Sequence, residues 1–136
     1  MIGYLAAYGI ATVILFILDF IWLGTIAKDF YRNQLGDMML DDIKIGIAAA
    51  FYLTYTVGVV VFAVKPALDA NSLIMALGYG ALFGFLAYGT YDFTNMATLK
   101  DWPVKMSIAD IIWGTSVTTF TAGSTYYLIQ KFGLTL

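Results

Sequence analysis

Four stretches of about 20 residues, free of charge or carrying a single aspartate, dominate this chain and leave few folds open to it. A helix that crosses the hydrocarbon core of a bilayer needs about 20 mostly apolar residues at roughly 1.5 Å rise each. The charged residues cut the sequence into four segments of that length. The first runs from about Ile2 to Ala27 and is interrupted only by Asp19. The second covers residues 45–64, between Lys44 and Lys65. The third follows the Pro66–Asn71 turn over about residues 72–95 and meets Asp92 near its end; the fourth covers about residues 105–130, with Asp110 near its start. Pro66 and Pro103, the only two prolines, fall in the gaps where helices should break. The expected fold is all-α and integral to the membrane: one domain, a bundle of four transmembrane helices with both termini on the same side.

Composition agrees. Of 136 residues, 61% are hydrophobic and 12% charged, too little charge to cover the surface of a soluble domain of this size. The formal charge of -2 argues against a nucleic-acid partner. Cysteine and histidine are both absent, and all nine acidic residues are Asp. That removes disulfides, thiolate chemistry and the commonest metal ligand and proton shuttle, and leaves acid–base work to Asp, Tyr, Lys or water. The stretch from Met1 to Leu18 lacks the basic start of a cleavable signal peptide and is expected to be a permanent span.

Orientation follows from the short loops. Lys28, Arg32, Lys44, Lys100 and Lys105 lie on one side, Lys65 and Lys131 on the other, so the positive-inside rule places both termini outside. The stretch KDFYRNQLGDMMLDDIK interleaves Phe30, Tyr31, Leu35, Met38 and Met39 with charge. It reads either as a short interfacial helix turning at Gly36 or as an ordinary loop at the headgroups. Small residues recur every fourth position, as Gly3/Ala7/Ala11, Gly46/Ala50/Thr54/Gly58, Ala76/Gly80/Gly84 and Thr115/Thr119/Gly123. Such stripes let helices approach closely in lipid, within one chain or between the chains of a homo-oligomer.

Charge at the bilayer centre costs roughly 2.5–3.5 kcal/mol, which makes Asp19, Asp92 and Asp110 candidates for function. With helices alternating in direction, all three fall in the cytoplasmic half of the bundle. Asp19 and Trp22 stand three residues apart, as do Asp110 and Trp113, so each pair shares a helix face. The two motifs lie on antiparallel spans, the layout of an inverted repeat or of coincidence in an apolar sequence. Tyr88, Tyr91, Asp92 and Asn95 follow i, i+3, i+4, i+7 spacing, and Tyr52 and Tyr55 lie at matching depth. No Lys or Arg within the spans compensates the acids, so a proton or cation is expected among them; Asp19, Asp92 and Asp110 would be the ligands of any metal. The plainer alternative has each aspartate hydrogen-bonded near the interface as structural glue.

The segments LDFIWLG, FYLTYTVGVVVFAVKPA, YGTYDFTNMATLKDWP and DIIWGT resemble the bacterial predicted-membrane-protein family catalogued as domain of unknown function twenty-one seventy-seven. The resemblance covers nearly the whole chain, most specifically TYDFTNMATLKDWP. It implies a four-span, multi-pass protein of the bacterial inner membrane, and no activity, substrate or cofactor.

Three functions fit the residues. A transporter or permeation protein would bind a proton, cation or cationic small molecule among Asp19, Asp92 and Asp110, with Trp22, Trp113, Tyr52, Tyr55, Tyr88, Tyr91 and Asn95 around it. A membrane enzyme acting on a lipid or isoprenoid would use two aspartates as acid and base. The second Gly-x-Gly-Asp element and the DxxxD pairs of such enzymes are missing, however, and Asp37/Asp41/Asp42 sit in a charged loop. A partner or pigment-binding subunit would use the aromatics, although Trp and Tyr belts explain many of these, Trp102 included. The first reading is the one carried forward: a transporter, with enzyme activity not expected.

Overall fold

The computed structural model describes residues 2–134. Backbone groups that lipid cannot hydrate must bond within their own segment, and every regular element among the described residues is helical. Helix α1 (Ile2–Ile21) continues through one π-helical turn (Trp22–Ile26). Helix α2 (Lys28–Leu35) and a 3₁₀ turn (Gly36–Met38) follow. Helix α3 (Ile45–Val59) passes through a second π-helical turn (Val60–Val64) into α4 (Lys65–Asp69). Helices α5 (Leu73–Thr98) and α6 (Val104–Lys131) complete the chain.

Three continuous rods, Ile2–Ile26, Ile45–Asp69 and Leu73–Thr98, are long and apolar enough to cross a membrane. The fourth rod, α6, has 28 residues but is more polar, because threonine is frequent along it. The hydroxyls of Thr115, Thr119, Thr121 and Thr125 each donate to the carbonyl four residues earlier, at 2.6–2.8 Å. These side chains therefore present little unpaired polarity to their surroundings.

Helices α5 and α6 form the tightest pair. Ala76, Gly80 and Gly84 are buried along α5, as the four-residue spacing predicts. A Cβ on Gly80 would come within 2.9 Å of the Ala122 Cβ, so the two backbones lie against each other. On α1 the predicted row Gly3, Ala7 and Ala11 is buried and extends through Leu15 to Asp19.

The α3 stripe is corrected except at Gly58, where an added Cβ would stand 2.5 Å from the Phe83 ring. Gly46, Ala50 and Thr54 face outward, and α3 buries Tyr55, Thr56 and Val59 instead. Close packing needs bulk opposite a hollow: Ala7 and Ala11 of α1 cluster with Tyr55, Val59 and Val60. On α6 the buried row differs in part: Gly114, Thr118 and Ala122 face inward and Thr115 and Thr119 are half-buried, while the predicted Gly123 is buried against Leu77.

Pro66 does not break its helix. The rod runs on to Asp69 and the chain reverses at Ala70–Ser72, where Asn71 adopts a φ of 50°. The preceding π-helical turn, in which the Lys65 amide donates to the Val60 carbonyl, gives the backbone room where proline lacks an N–H. Pro103 behaves as predicted and stands directly before α6.

The charged loop takes its helical alternative. α2 ends at Gly36, whose φ of 57° favours a residue without a side chain. Tyr31 clusters with Ala27 and Met106, flanked by Trp22, Phe30, Leu35 and Trp102, so α2 folds across one end of the bundle. At the other end Tyr4 lies near Lys65, and Gln130 donates to Asn71 at 2.9 Å. The start of α1, the α4–α5 turn and the end of α6 thus share that opposite end.

Candidate functional site

Asp19 reaches the bundle interior because it ends the buried row of α1, one turn beyond Leu15. It is 4% exposed. The Trp113 indole N–H donates to its Oδ1 at 2.6 Å, and the Tyr52 hydroxyl stands beside the same carboxyl. Asp110, on α6, accepts from the Tyr31 hydroxyl at 2.8 Å; that hydroxyl in turn accepts from the Trp22 indole at 3.2 Å. Trp22 and Trp113 stack face to face, their centroids 4.5 Å apart and their planes at 6°.

The two Asp-x-x-Trp motifs therefore meet. Antiparallel helices bring each Trp to the level of the other helix's Asp, directly from Trp113 to Asp19 and through Tyr31 from Trp22 to Asp110. Tyr31 lies outside the long rods. Burial, above all, pushes its hydroxyl above the usual range, and a phenol is in any case protonated at neutral pH and able to donate to Asp110.

Beside this brace lies a cavity of about 410 Å³. Asp19 and Asp110 supply its carboxylates, and Tyr52, Tyr88, Tyr91 and Trp113 supply aromatic walls. No Lys or Arg lines it. Phe51 and Leu23, half-exposed like Tyr91, border it, so the space opens to the outside of the bundle. The opening reflects how the rods diverge: contact between the α3–α4 rod and α5 comes mainly from the π-helical turn and α4.

The remaining predicted residues sit otherwise. Trp22 backs the cavity through its stack on Trp113, without lining it. Tyr55 shares a 2.7 Å hydrogen bond with Thr118 and packs edge-on to Tyr88. Asp92 is fully buried behind the cavity, next to Asp110 and Ser107, and neither of its carboxyl oxygens has a hydrogen-bond partner. Asn95 does not line the cavity. Among the described residues no group of three acids could hold a metal ion. The helices instead set Asp19 on Trp113 and Asp92 beside Asp110.

Sequence reading passed over Tyr31 as a member of the site, together with Leu23, Phe51, Ala87 and Ser107. Leu23 and Phe51 each stand next to a named residue along the chain, and Ala87 precedes Tyr88. Ser107 had a local sign only in being polar within an apolar helix; in the structure it accepts from the Trp102 indole at 2.8 Å.

Apolar helical rods around an acidic, aromatic interior define a helical membrane protein. The family model described as "Predicted membrane protein (DUF2177)" matches residues 4–127, and the chain belongs to that family. No curated protein and no solved structure matches the chain significantly.

Proposed function

We propose that this is a four-span protein of the bacterial inner membrane that binds a cationic group in the cavity between Asp19 and Asp110 and serves its transport or permeation. The observation that carries the reading is the wall of that cavity: two carboxylates, five aromatic side chains and no basic one. Aromatic faces attract a cation, and a desolvated carboxylate supplies the countercharge. The lateral opening suits a ligand that arrives along the membrane. Asp92 adds a place for a proton, since a fully buried carboxyl with no hydrogen bond is costly as a bare charge.

Two features support the fourth span. Between Lys105 and Lys131 the only charge on α6 is Asp110, and four of its five threonine hydroxyls, all but that of Thr118, are returned to the helix backbone. The five-to-two excess of Lys and Arg on the α2 side supports an orientation with that end in the cytoplasm and both termini outside.

The test uses purified protein in nanodiscs titrated with tetraethylammonium, read through tryptophan fluorescence. Saturable binding is expected, about tenfold weaker in the Asp19→Asn/Asp110→Asn double variant. Absence of binding, or binding unchanged in that variant, overturns the site. Binding without tetraethylammonium flux in proteoliposomes leaves the site standing and overturns transport.

A further inference from the structure

A second cavity, of about 340 Å³, lies at the α2 end of the bundle and is built with the opposite charge. Lys28 and Arg32 line it, one turn apart on the same face of α2, with Leu23, Leu35, Met39 and Ile43 as its apolar walls. Asp29, Asp37, Asp41 and Asp42 belong to the same stretch of chain, yet none of them lines the space. Among the described residues neither Lys28 nor Arg32 lies within ion-pair distance of a carboxylate. Two cationic side chains thus border a half-apolar pocket where the first apolar rod ends. The surroundings are lipid-facing in character: Leu23, Leu40, Ile43 and Ile45 are all exposed.

We infer that this cavity binds an anionic phospholipid, its phosphate held between Lys28 and Arg32 and its acyl chain lying along Leu35, Met39 and Ile43. Basic side chains beside a membrane-spanning rod attract anionic headgroups, and the apolar walls give the adjoining chain a dry surface. A free phosphate compound would satisfy the two cations but would leave those walls exposed to water. The occupant is therefore a lipid. Only Leu23 is shared with the acidic cavity, so bound lipid sits against that cavity's outer wall and is chemically distinct from its ligand.

The test uses the full chain, delipidated in detergent and presented with dioleoyl phosphatidylglycerol, dioleoyl phosphatidylcholine or inorganic phosphate. Native mass spectrometry reads retained lipid, and a thermal melt reads stabilisation. Phosphatidylglycerol is expected to be retained and to raise the melting temperature, whereas inorganic phosphate does neither. The Lys28→Gln/Arg32→Gln variant should retain phosphatidylglycerol about tenfold less well, and Lys44→Gln/Lys105→Gln should match the wild type. Gly24 lines the same space and a Cβ placed there meets nothing within 4 Å, so Gly24→Leu should partly fill the pocket without changing charge and weaken retention as well. Equal retention of phosphatidylcholine, equal stabilisation by inorganic phosphate, or equal loss in the Lys44/Lys105 variant overturns the assignment.

Discussion

At Gly84 an added Cβ would stand 2.5 Å from the Gly114 carbonyl oxygen and 2.8 Å from Thr118, so the α5–α6 contact has no room for a methyl group. At Gly46 nothing lies within 4 Å. Gly84→Ala should therefore destabilise the bundle by about 1–3 kcal/mol. Gly46→Ala should be neutral or stabilise it by up to about 1 kcal/mol through helix propensity. Thermal or denaturant unfolding in matched detergent checks both, and a loss at Gly46 as large as at Gly84 defeats the assignment of faces. Both glycines belong to four-residue stripes, and the sequence treats them alike. The inward stripe is fixed by the partner helix, and only coordinates supply the partner. The Asp-x-x-Trp pairs were more legible. Their spacing put each Asp and Trp on one face, and antiparallel packing did the rest, bringing Trp113 to Asp19 and Trp22 onto Trp113. Asn95 had the same periodic support yet does not line the cavity, since helical phase places a residue on a face without choosing its depth beside a cavity.

Helix α2 shows what lies beyond local pattern. Its amphipathic character was readable from Phe30, Tyr31, Leu35 and the charges among them. Its role was not, because the contact that docks it joins Tyr31 to Asp110, 79 residues away. Among the described residues the Tyr31 hydroxyl is the one hydrogen-bond link from α2 to both acid–tryptophan motifs. Removing it leaves the Trp22 N–H without its acceptor and Asp110 without its donor. Tyr31→Phe should thus cost about 1–2 kcal/mol. It should raise hydrogen exchange across Lys28–Leu35 while leaving α5 and the second half of α6 unchanged. Protection of Lys28–Leu35 equal to wild type would mean that the apolar cluster with Ala27 and Met106 docks the helix unaided. The π-helical turns belong to this scale as well. Pro66 reads as a helix end, but the turn at Val60–Val64 lets the rod continue to Asp69, an adjustment that follows from backbone geometry and leaves no mark in composition.

At the scale of the whole molecule, the path of α6 decides how the chain relates to the membrane. Three rods meet the demands of length and hydropathy, while α6 meets length and is rich in threonines, four of the five bonded to their own backbone. If α6 spans, Lys131 and Asn71 lie on one side of the bilayer and Asp101 and Lys44 on the other. If it lies along the surface, Lys131 shares a side with Asp101. The chain contains no cysteine, so single cysteines can be introduced without background. Lys44→Cys, Asn71→Cys, Asp101→Cys and Lys131→Cys each replace an exposed residue outside the cavity walls. With a membrane-impermeant maleimide on intact spheroplasts, Asn71→Cys and Lys131→Cys should label, and Lys44→Cys and Asp101→Cys should label only after lysis. Lys131→Cys behaving like Asp101→Cys, whether both label before lysis or both only after it, would remove the fourth span. It would also put the Asp110 carboxyl and the acidic cavity at the membrane surface, where water and salt would weaken their hold on a cation. A complete reversal of the pattern would keep four spans and turn the molecule over, opening the acidic cavity towards the outer leaflet. The path of one threonine-rich helix thus sets whether the cavity is a site within the bilayer, and the loop charges set which leaflet it faces.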